Sequence, residues 1–137
     1  MKVLIDTNVI LDVLCNREDF VEPAEKIFKL CEVGKLQGYV YALSMANIVY
    51  IMRKELDRSQ IEEVITKLAS IFTIVDMKSD DLKRAAALPM QDYEDALQSV
   101  GAARVKAEFI VTRNLKDYKN SKVMAVKPSD LLERLDD

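Results

Sequence analysis

Four aspartates are the residues whose type and spacing best suit catalysis. Asp6 directly follows the apolar residues 3–5, Asp92 and Asp95 are three residues apart, and Asp117 ends the segment 112–117. A charged carboxyl at the end of a buried strand is costly to desolvate unless a partner or a cation compensates it. Several carboxylates gathered without Lys or Arg repel one another, and a bound cation relieves that repulsion. Oxygen ligands of this kind suit Mg²⁺ or Mn²⁺.

Three of these aspartates also have a purely structural interpretation. Asp92 and Asp95 stand near a predicted helix start, where the helix dipole stabilises negative charge without a metal. Asp117 suits a turn before Tyr118. Asp6 has no comparable explanation, so it is the first candidate for a metal ligand.

The absence of histidine narrows the chemistry further. It excludes Ser-His-Asp and Cys-His triads, histidine general bases and histidine metal ligands. The two cysteines are too few for a zinc site. Cys15 and Cys31 lie in apolar helical patterns and are predicted to be buried free thiols in a reducing compartment.

Length and composition indicate one globular domain over residues 1–137, with 50% hydrophobic and 31% charged residues. No apolar run approaches the roughly 20 residues of a membrane helix. The early acid at position 6 does not fit a signal peptide, so the expected location is the cytoplasm.

Charge is distributed unevenly along the chain. The net charge of −3 argues against nonspecific nucleic-acid binding by the whole surface. Residues 104–128, however, carry seven Lys or Arg and only two acids. This bias fits either an ordinary solvated face or a rim that contacts phosphates.

Short apolar strands alternate with helical segments along the chain. The strands are predicted at residues 2–5, 38–42, 72–75, 109–111 and 123–126. Ser44 is the predicted cap of the helix after the second strand, and Ser59 with Glu62 is the predicted capping box of the next helix. The alternation predicts an α/β fold with a mainly parallel sheet and right-handed crossovers.

The predicted topology gathers the candidate residues at one edge of the sheet. In open parallel sheets, ligands bind beyond the carboxyl ends of the strands. Asp6 follows the first strand, residues 112–117 follow the fourth, and residues 44–47 follow the second. Asp92 and Asp95 share one helix face because they are three residues apart. With the first strand at the centre, these groups are predicted to converge.

Four segments, in this order, resemble motifs of the PIN-domain family. They are Val-Leu-Ile-Asp-Thr-Asn at 3–8, Ser-Met-Ala-Asn-Ile at 44–48, Asp-Tyr-Glu-Asp-Ala-Leu at 92–97 and Ile-Val-Thr-Arg-Asn-Leu-Lys-Asp-Tyr at 110–118. The resemblance implies a three-layer α/β/α fold with a five-stranded, mainly parallel central sheet. It also implies hydrolysis of RNA phosphodiesters with Mg²⁺ or Mn²⁺. The family includes the ribonuclease toxins of bacterial toxin–antitoxin pairs.

The resemblance gives roles to the residues at matching positions. Asp6, Asp95 and Asp117 are the implied metal ligands, and Asp92 is a further candidate catalytic residue. Either Asp92 or Asp117 is expected to orient a water molecule through a hydrogen bond. Thr112 and Asn8 match family positions and are expected to support the site geometry and substrate binding. Asn47 and Asn114 are further candidates for substrate binding. The basic bias of their segment, rather than the resemblance, suggests that Arg113, Lys116 and Lys119 contact flanking phosphates.

Two positions depart from the commonest family pattern. Asn47 stands where many members have Glu, and Asn114 stands where many have Asp. Asn supplies an oxygen without a charge, so metal affinity falls and a second metal becomes less favourable. The alternative to a nuclease is therefore a noncatalytic PIN-like module that binds nucleic acid or protein.

The expected partners are RNA, a small antitoxin protein and a second copy of the chain. The stretch 44–72 contains more apolar residues than one buried face of each helix requires. Part of this stretch is predicted to form a dimer surface or an antitoxin groove.

Two other families also use strand-end aspartates, and both fit less well. A haloacid-dehalogenase-like phosphatase needs a second Asp two residues after the first, where this chain has Asn8. A receiver domain needs its phosphorylated Asp on a middle strand and an acidic pair near the first strand, and this chain lacks that pair.

Overall fold

Five parallel strands form the central sheet of the computed structural model, which describes residues 1–136. They are β1 Lys2–Ile5, β2 Gln37–Tyr41, β3 Thr73–Val75, β4 Phe109–Val111 and β5 Ala125–Val126. Their order across the sheet is β3-β2-β1-β4-β5. The first strand is therefore central, which is the arrangement that the convergence of the candidate residues requires, and every strand pair is parallel.

Helices connect the strands and cover both faces of the sheet. They are α1 Thr7–Leu14, α2 Val21–Glu32, α3 Ala42–Ile51, α4 Arg58–Ile71, α5 Ser79–Ala86, α6 Tyr93–Arg104 and α7 Pro128–Asp136, with a 3-10 helix at Leu115–Tyr118. None of the helices in residues 1–136 is long and apolar enough to cross a membrane.

The strand side chains alternate between two separate cores. Val3 and Ile5 point into a core that α1, α2, α3, α4 and α7 complete. Leu4 and Ile110 point into a second core, where α6 packs through Leu97 and Val100. Burial on both faces explains the nearly continuous apolar strands. The three-layer α/β/α prediction is confirmed.

The sheet register places two functional segments side by side. Ile5 at the end of β1 pairs with Val111 at the end of β4. The backbone N–H of Asp6 then donates to the carbonyl oxygen of Val111 over 2.9 Å. Asp6 and Thr112 therefore leave the sheet at the same level.

Gly101 allows α6 to lie close to the sheet. A Cβ atom at this position would come within 2.6 Å of the Tyr41 ring. Any larger residue would push the helix outward. Gln98 lies one turn earlier on α6, so this close packing brings Gln98 towards the end of β1.

Two predicted helix caps are wrong, and both errors are local. β2 ends at Tyr41 and α3 begins at Ala42, so Ser44 is a buried residue inside the helix rather than its cap. The capping box of α4 consists of Asp57 and Gln60, not Ser59 and Glu62. Asp57 precedes the first helical residue directly, which is the position that a capping side chain requires.

The two cysteines differ in their environment. Both are free thiols, and Cys31 is buried as predicted. Cys15 is exposed, because it follows the last residue of α1 and lies outside the apolar face of that helix. The prediction of a buried Cys15 is therefore wrong.

Candidate functional site

A pocket of about 310 Å³ lies beyond the carboxyl ends of β1 and β4. Its lining includes most of the sequence-predicted site residues, together with five residues that sequence reasoning did not assign. The lining consists of Asp6, Thr7, Asn8, Leu11, Asn47, Ile51, Asp92, Glu94, Asp95, Gln98, Asn114 and Asp117. We call it the acidic pocket.

Asp6 is 6% exposed and is held by neutral hydrogen-bond donors. Its Oδ1 accepts from the Thr7 backbone N–H and from Gln98 Nε2, both at 2.7 Å. Its Oδ2 accepts from Thr112 Oγ1 at 2.8 Å and from Asn8 Nδ2 at 3.3 Å. Hydrogen bonds to a carboxylate lower the cost of its burial. They leave its negative charge without an opposite charge nearby.

Thr112 organises the end of β4 around Asp6. Its hydroxyl donates to Asp6 and accepts from the backbone N–H of Asn114 at 3.1 Å and from Asn8 Nδ2 at 3.3 Å. The side chain is fully buried, so these hydrogen bonds fix the hydroxyl group. Asn8 completes the network, since its Oδ1 accepts from the backbone N–H of Arg113 at 3.4 Å.

Asp95 shows the electrostatic character of the pocket most clearly. Burial, followed by the nearby carboxylates of Asp6, Asp92 and Asp117, raises the pKa of Asp95 to about 7. The phenol of Tyr118 acts against this rise by donating to Asp95 Oδ1 at 3.2 Å. Asp92 caps α6 by accepting from the Asp95 backbone N–H at 3.0 Å. The four aspartates therefore interact electrostatically, as the strand-end argument predicts.

The chemistry of these donors fits a hard divalent cation. None of the four aspartates is in an ion pair among residues 1–136. Carboxylate clusters without a basic partner favour cation binding. In the same part of the chain, no three acidic or cysteine side chains are already arranged to hold a metal ion. The fit is therefore one of donor type and charge, without a preformed ligand geometry.

Glu94 adds a carboxylate that sequence reasoning missed. Its Oε2 accepts from Asn47 Nδ2 at 3.0 Å across the pocket mouth. Glu94 therefore places a negative charge beside the position where Asn47 replaces the acid common in the family. The signal was present in the sequence, because Glu94 stands between Asp92 and Asp95 near the start of a helix.

Arg113 lies outside the acidic pocket. Its Nε donates to Asp12 Oδ2 at 2.7 Å and its Nη2 donates to Asp12 Oδ1 at 3.1 Å. Its guanidinium also stacks on the Phe20 ring, 3.9 Å from the ring centre. Asp12 is fully buried and also pairs with Arg17. Arg113 is therefore in an ion pair with Asp12, and it is not among the residues that line the acidic pocket.

A second groove, of about 600 Å³, adjoins the acidic pocket. It is lined by Pro89, Met90, Gln91, Asp92, Lys116, Asp117, Lys119 and Asn120. Asp92 and Asp117 line both cavities, so the two lie next to each other. Asn120 Nδ2 joins the walls by donating to the Pro89 carbonyl oxygen at 2.9 Å. We call it the lysine groove, because Lys116 and Lys119 make no salt bridge among residues 1–136.

The chain is similar in fold to chains of several solved toxin–antitoxin complexes. With VapBC2 from Rickettsia felis, bound to a promoter DNA fragment, the TM-score is 0.72 at 15% identity over 93% of this chain and 98% of that chain. With a toxin–antitoxin complex from Klebsiella pneumoniae, it is 0.70 at 20% identity over 92% and 97%. With FitAcB from Neisseria gonorrhoeae, it is 0.69 at 17% identity over 93% and 98%.

Sequence comparison supplies the family. No curated protein sequence matches the chain. The family model of the PIN domain matches residues 2–116, which is most of the chain and includes β1 to β4. Asp6, Asp92 and Asp95 lie within the match, and Asp117 follows its last residue. The chain therefore belongs to the PIN-domain family.

Proposed function

We propose that this chain is an Mg²⁺- or Mn²⁺-dependent ribonuclease that hydrolyses RNA phosphodiester bonds. The observation that carries the proposal is the lining of the acidic pocket, which brings Asp6, Asp92, Asp95 and Asp117 together without any Lys or Arg. Family membership supports the same conclusion. We further propose one domain over residues 1–137, acting in the cytoplasm; Asp137 lies outside the described residues.

Asp6, Asp95 and Asp117 would hold the metal. A bound divalent cation polarises the scissile phosphate and lowers the pKa of a water molecule. The chain contributes the orientation of these groups. Thr112 and Asn8 fix the Asp6 carboxylate. Asp92 or Asp117, which also line the pocket, would accept a hydrogen bond from the attacking water.

The lysine groove is the proposed path of the RNA strand. Lys116 and Lys119 would bind phosphates next to the scissile one, since the groove shares Asp92 and Asp117 with the acidic pocket. The amides of Asn47 and Asn114 face the same pocket and would bind RNA groups there. Arg113 has no part in this proposal, because Asp12 holds its guanidinium.

An antitoxin and a second copy of the chain are the proposed protein partners. The similar folds come from toxin–antitoxin complexes. On this chain, Tyr50 is 64% exposed and Ile51 is 49% exposed at the end of α3, and Ile51 also lines the acidic pocket. A protein that covered this apolar surface would also restrict access to the pocket. Light scattering of the wild type and of Tyr50→Ser tests the dimer.

A noncatalytic binding module is the second candidate function. It is favoured by the lack of a ready metal geometry among residues 1–136 and by the uncharged Asn47 and Asn114. Such a module would bind RNA or protein without cleaving RNA and without any requirement for Mg²⁺.

RNA cleavage with and without Mg²⁺ or Mn²⁺ separates the two candidates. A nuclease requires the metal and loses about 100-fold or more in rate in Asp6→Asn and Asp95→Asn, because charge stabilisation at the reacting phosphate is lost. Asp130→Asn, an exposed substitution on α7, is the matched control and keeps full activity. Wild-type cleavage rates in Asp6→Asn would contradict the proposal.

A further inference from the structure

Gln98 is a buried residue of the acidic pocket with one unmet hydrogen bond. Its side chain is 4% exposed, and its Nε2 donates to Asp6 Oδ1 at 2.7 Å. Its Oε1 is the one buried side-chain nitrogen or oxygen atom in residues 1–136 that has no hydrogen-bond partner. A buried acceptor without a donor is unfavourable, so such an atom calls for an explanation.

The hydrogen bond to Asp6 sets the orientation of the amide. Turning the amide over would place Oε1 against Asp6 Oδ1, and two acceptors at hydrogen-bond distance repel. Because Asp6 is fixed by the Thr7 backbone N–H and by Thr112, it cannot turn to relieve this repulsion. The free oxygen of Gln98 is therefore a consequence of its role as a donor to Asp6.

The position of Gln98 on α6 places it among the candidate ligands. Gln98 follows Asp95 by three residues and lies on the same helix face. Both side chains line the acidic pocket together with Asp6 and Asp117. The close approach of α6 at Gly101 holds this face against the end of β1.

We propose that Gln98 is a positioning residue for a hydrated divalent cation. Its Nε2 fixes the Asp6 carboxylate, and its Oε1 accepts a hydrogen bond from a water molecule on the cation. This inference rests on the proposed metal-dependent function. Mg²⁺ keeps several of its waters when proteins bind it, and each of these waters is a hydrogen-bond donor. A neutral amide supplies the acceptor without adding a charge to a crowded set of carboxylates.

The test is a titration of the full chain with Mn²⁺ in the absence of RNA. The electron paramagnetic resonance signal of free Mn²⁺ measures how much of the metal is bound. Gln98→Met keeps the length of the side chain and removes both polar atoms. We expect its Kd to rise about 10- to 100-fold, which is typical of groups that orient metal ligands. Leu97→Met perturbs the buried neighbour on the same helix and is expected to stay within about twofold of wild type.

The outcomes separate this inference from the proposed function. If wild type binds Mn²⁺ and Gln98→Met binds it equally well, the role of Gln98 is refuted while the metal site stands. An equal loss of affinity in Gln98→Met and Leu97→Met means a merely structural role and also refutes it. If wild type binds no Mn²⁺, the proposed metal site fails, and the role of Gln98 fails with it.

A measurement on wild type avoids any folding defect of the variant. The side-chain NH₂ signals of Gln98 in a ¹⁵N-labelled sample are expected to shift during an Mg²⁺ titration. Their shift should saturate at the same concentration as that of the Thr7 backbone N–H, which also donates to Asp6. A Gln98 signal that stays constant while the Thr7 signal shifts would overturn the proposal.

Discussion

Asp12 and Asp81 are buried beside arginines, whereas Asp6, which is buried almost as deeply, has only neutral donors. Arg113 reaches Asp12 at 2.7 Å, and Arg104 reaches Asp81 at 2.8 Å. Both pairs join separate segments of the chain. The Asp12 pair connects α1 to the segment after β4, and the Asp81 pair connects α5 to α6.

The pKa values reflect this difference. Burial alone would raise the pKa of Asp81, but hydrogen bonds from Arg104 and Tyr41 outweigh burial and lower it. The pKa of Asp95 rises to about 7, because it is buried and its charged neighbours are acids. A paired carboxylate balances the charge of its arginine, so its removal leaves an uncompensated charge in the fold. The aspartates of the acidic pocket have no such partner, so their negative charge at the carboxyl ends of the strands would favour binding of a cation.

The largest effect on stability is expected from the paired region. Asp12→Asn removes the charge that balances Arg17 and Arg113, and losing one partner of a buried pair typically costs about 3 kcal/mol or more. We expect the free energy of unfolding, measured with urea, to fall by about 3 kcal/mol. The loss stays at the lower end of this range because both arginines are partly exposed and recover some hydration. RNA cleavage per folded molecule should stay unchanged.

Asp80→Asn is the control for this prediction. Asp80 pairs with Arg84 one turn away, but both side chains are largely exposed. Such a pair contributes about 0.5 kcal/mol or less. A similar loss of stability in Asp12→Asn and Asp80→Asn would mean that burial of the pair does not matter.

In the acidic pocket, where the aspartates have no arginine partner, removing a carboxylate should increase stability instead of decreasing it. The folded-state pKa of Asp95, about 7, lies above its ordinary value of about 3.9 in an unfolded chain. The unfolded chain therefore loses this proton first, and the contribution of Asp95 to the stability of the metal-free protein falls as pH rises from about 4 to about 7. Asp95→Asn removes this fall.

At pH 8 in EDTA, we expect Asp95→Asn to be about 1 kcal/mol more stable than wild type, after allowing for solvent screening. Urea unfolding between pH 4 and pH 8 measures the difference, with Asp130→Asn as a control that keeps the wild-type pH dependence. A destabilised Asp95→Asn at pH 8 would mean that the carboxylates do not repel one another.

The smallest effect concerns the lysine groove. Lys116→Met combined with Lys119→Met should reduce the slope of log affinity against log salt by about 1.4 for single-stranded RNA, because each phosphate that a lysine neutralises contributes about 0.7 to that slope. Fluorescence anisotropy in EDTA measures binding without cleavage. Lys35→Met is the control, because Lys35 precedes the amino end of β2, whereas the pocket lies at the carboxyl ends of the strands. An unchanged slope in the double variant would place the RNA elsewhere.

Sequence reasoning predicted the parts of this molecule that depend on local pattern. The alternation of apolar strands and helices predicted the parallel sheet. The apolar run before Asp6 predicted that this residue lies at the carboxyl end of the first strand. The predicted caps of α3 and α4 were wrong because a shift of two or three residues in a helix start changes which side chain stands at the cap.

Partner choice between distant segments was beyond sequence reasoning. Arg113 pairs with Asp12 across 101 residues, and Gln98 donates to Asp6 across 92 residues. Both interactions depend on how two helices pack on the sheet, and no local spacing encodes that packing. Tyr118 was missed as a donor to Asp95 for the same reason.

Thermal unfolding in increasing Mn²⁺ tests most directly whether the unpaired carboxylates form a cation site. A ligand that binds only the folded state stabilises it by about 2.7 kcal/mol at a hundredfold excess over Kd. The unfolding midpoint of wild type should therefore rise with Mn²⁺ concentration, and the midpoint of Asp6→Asn should stay constant. An equal rise in both proteins, or no rise in wild type, would contradict the cation site.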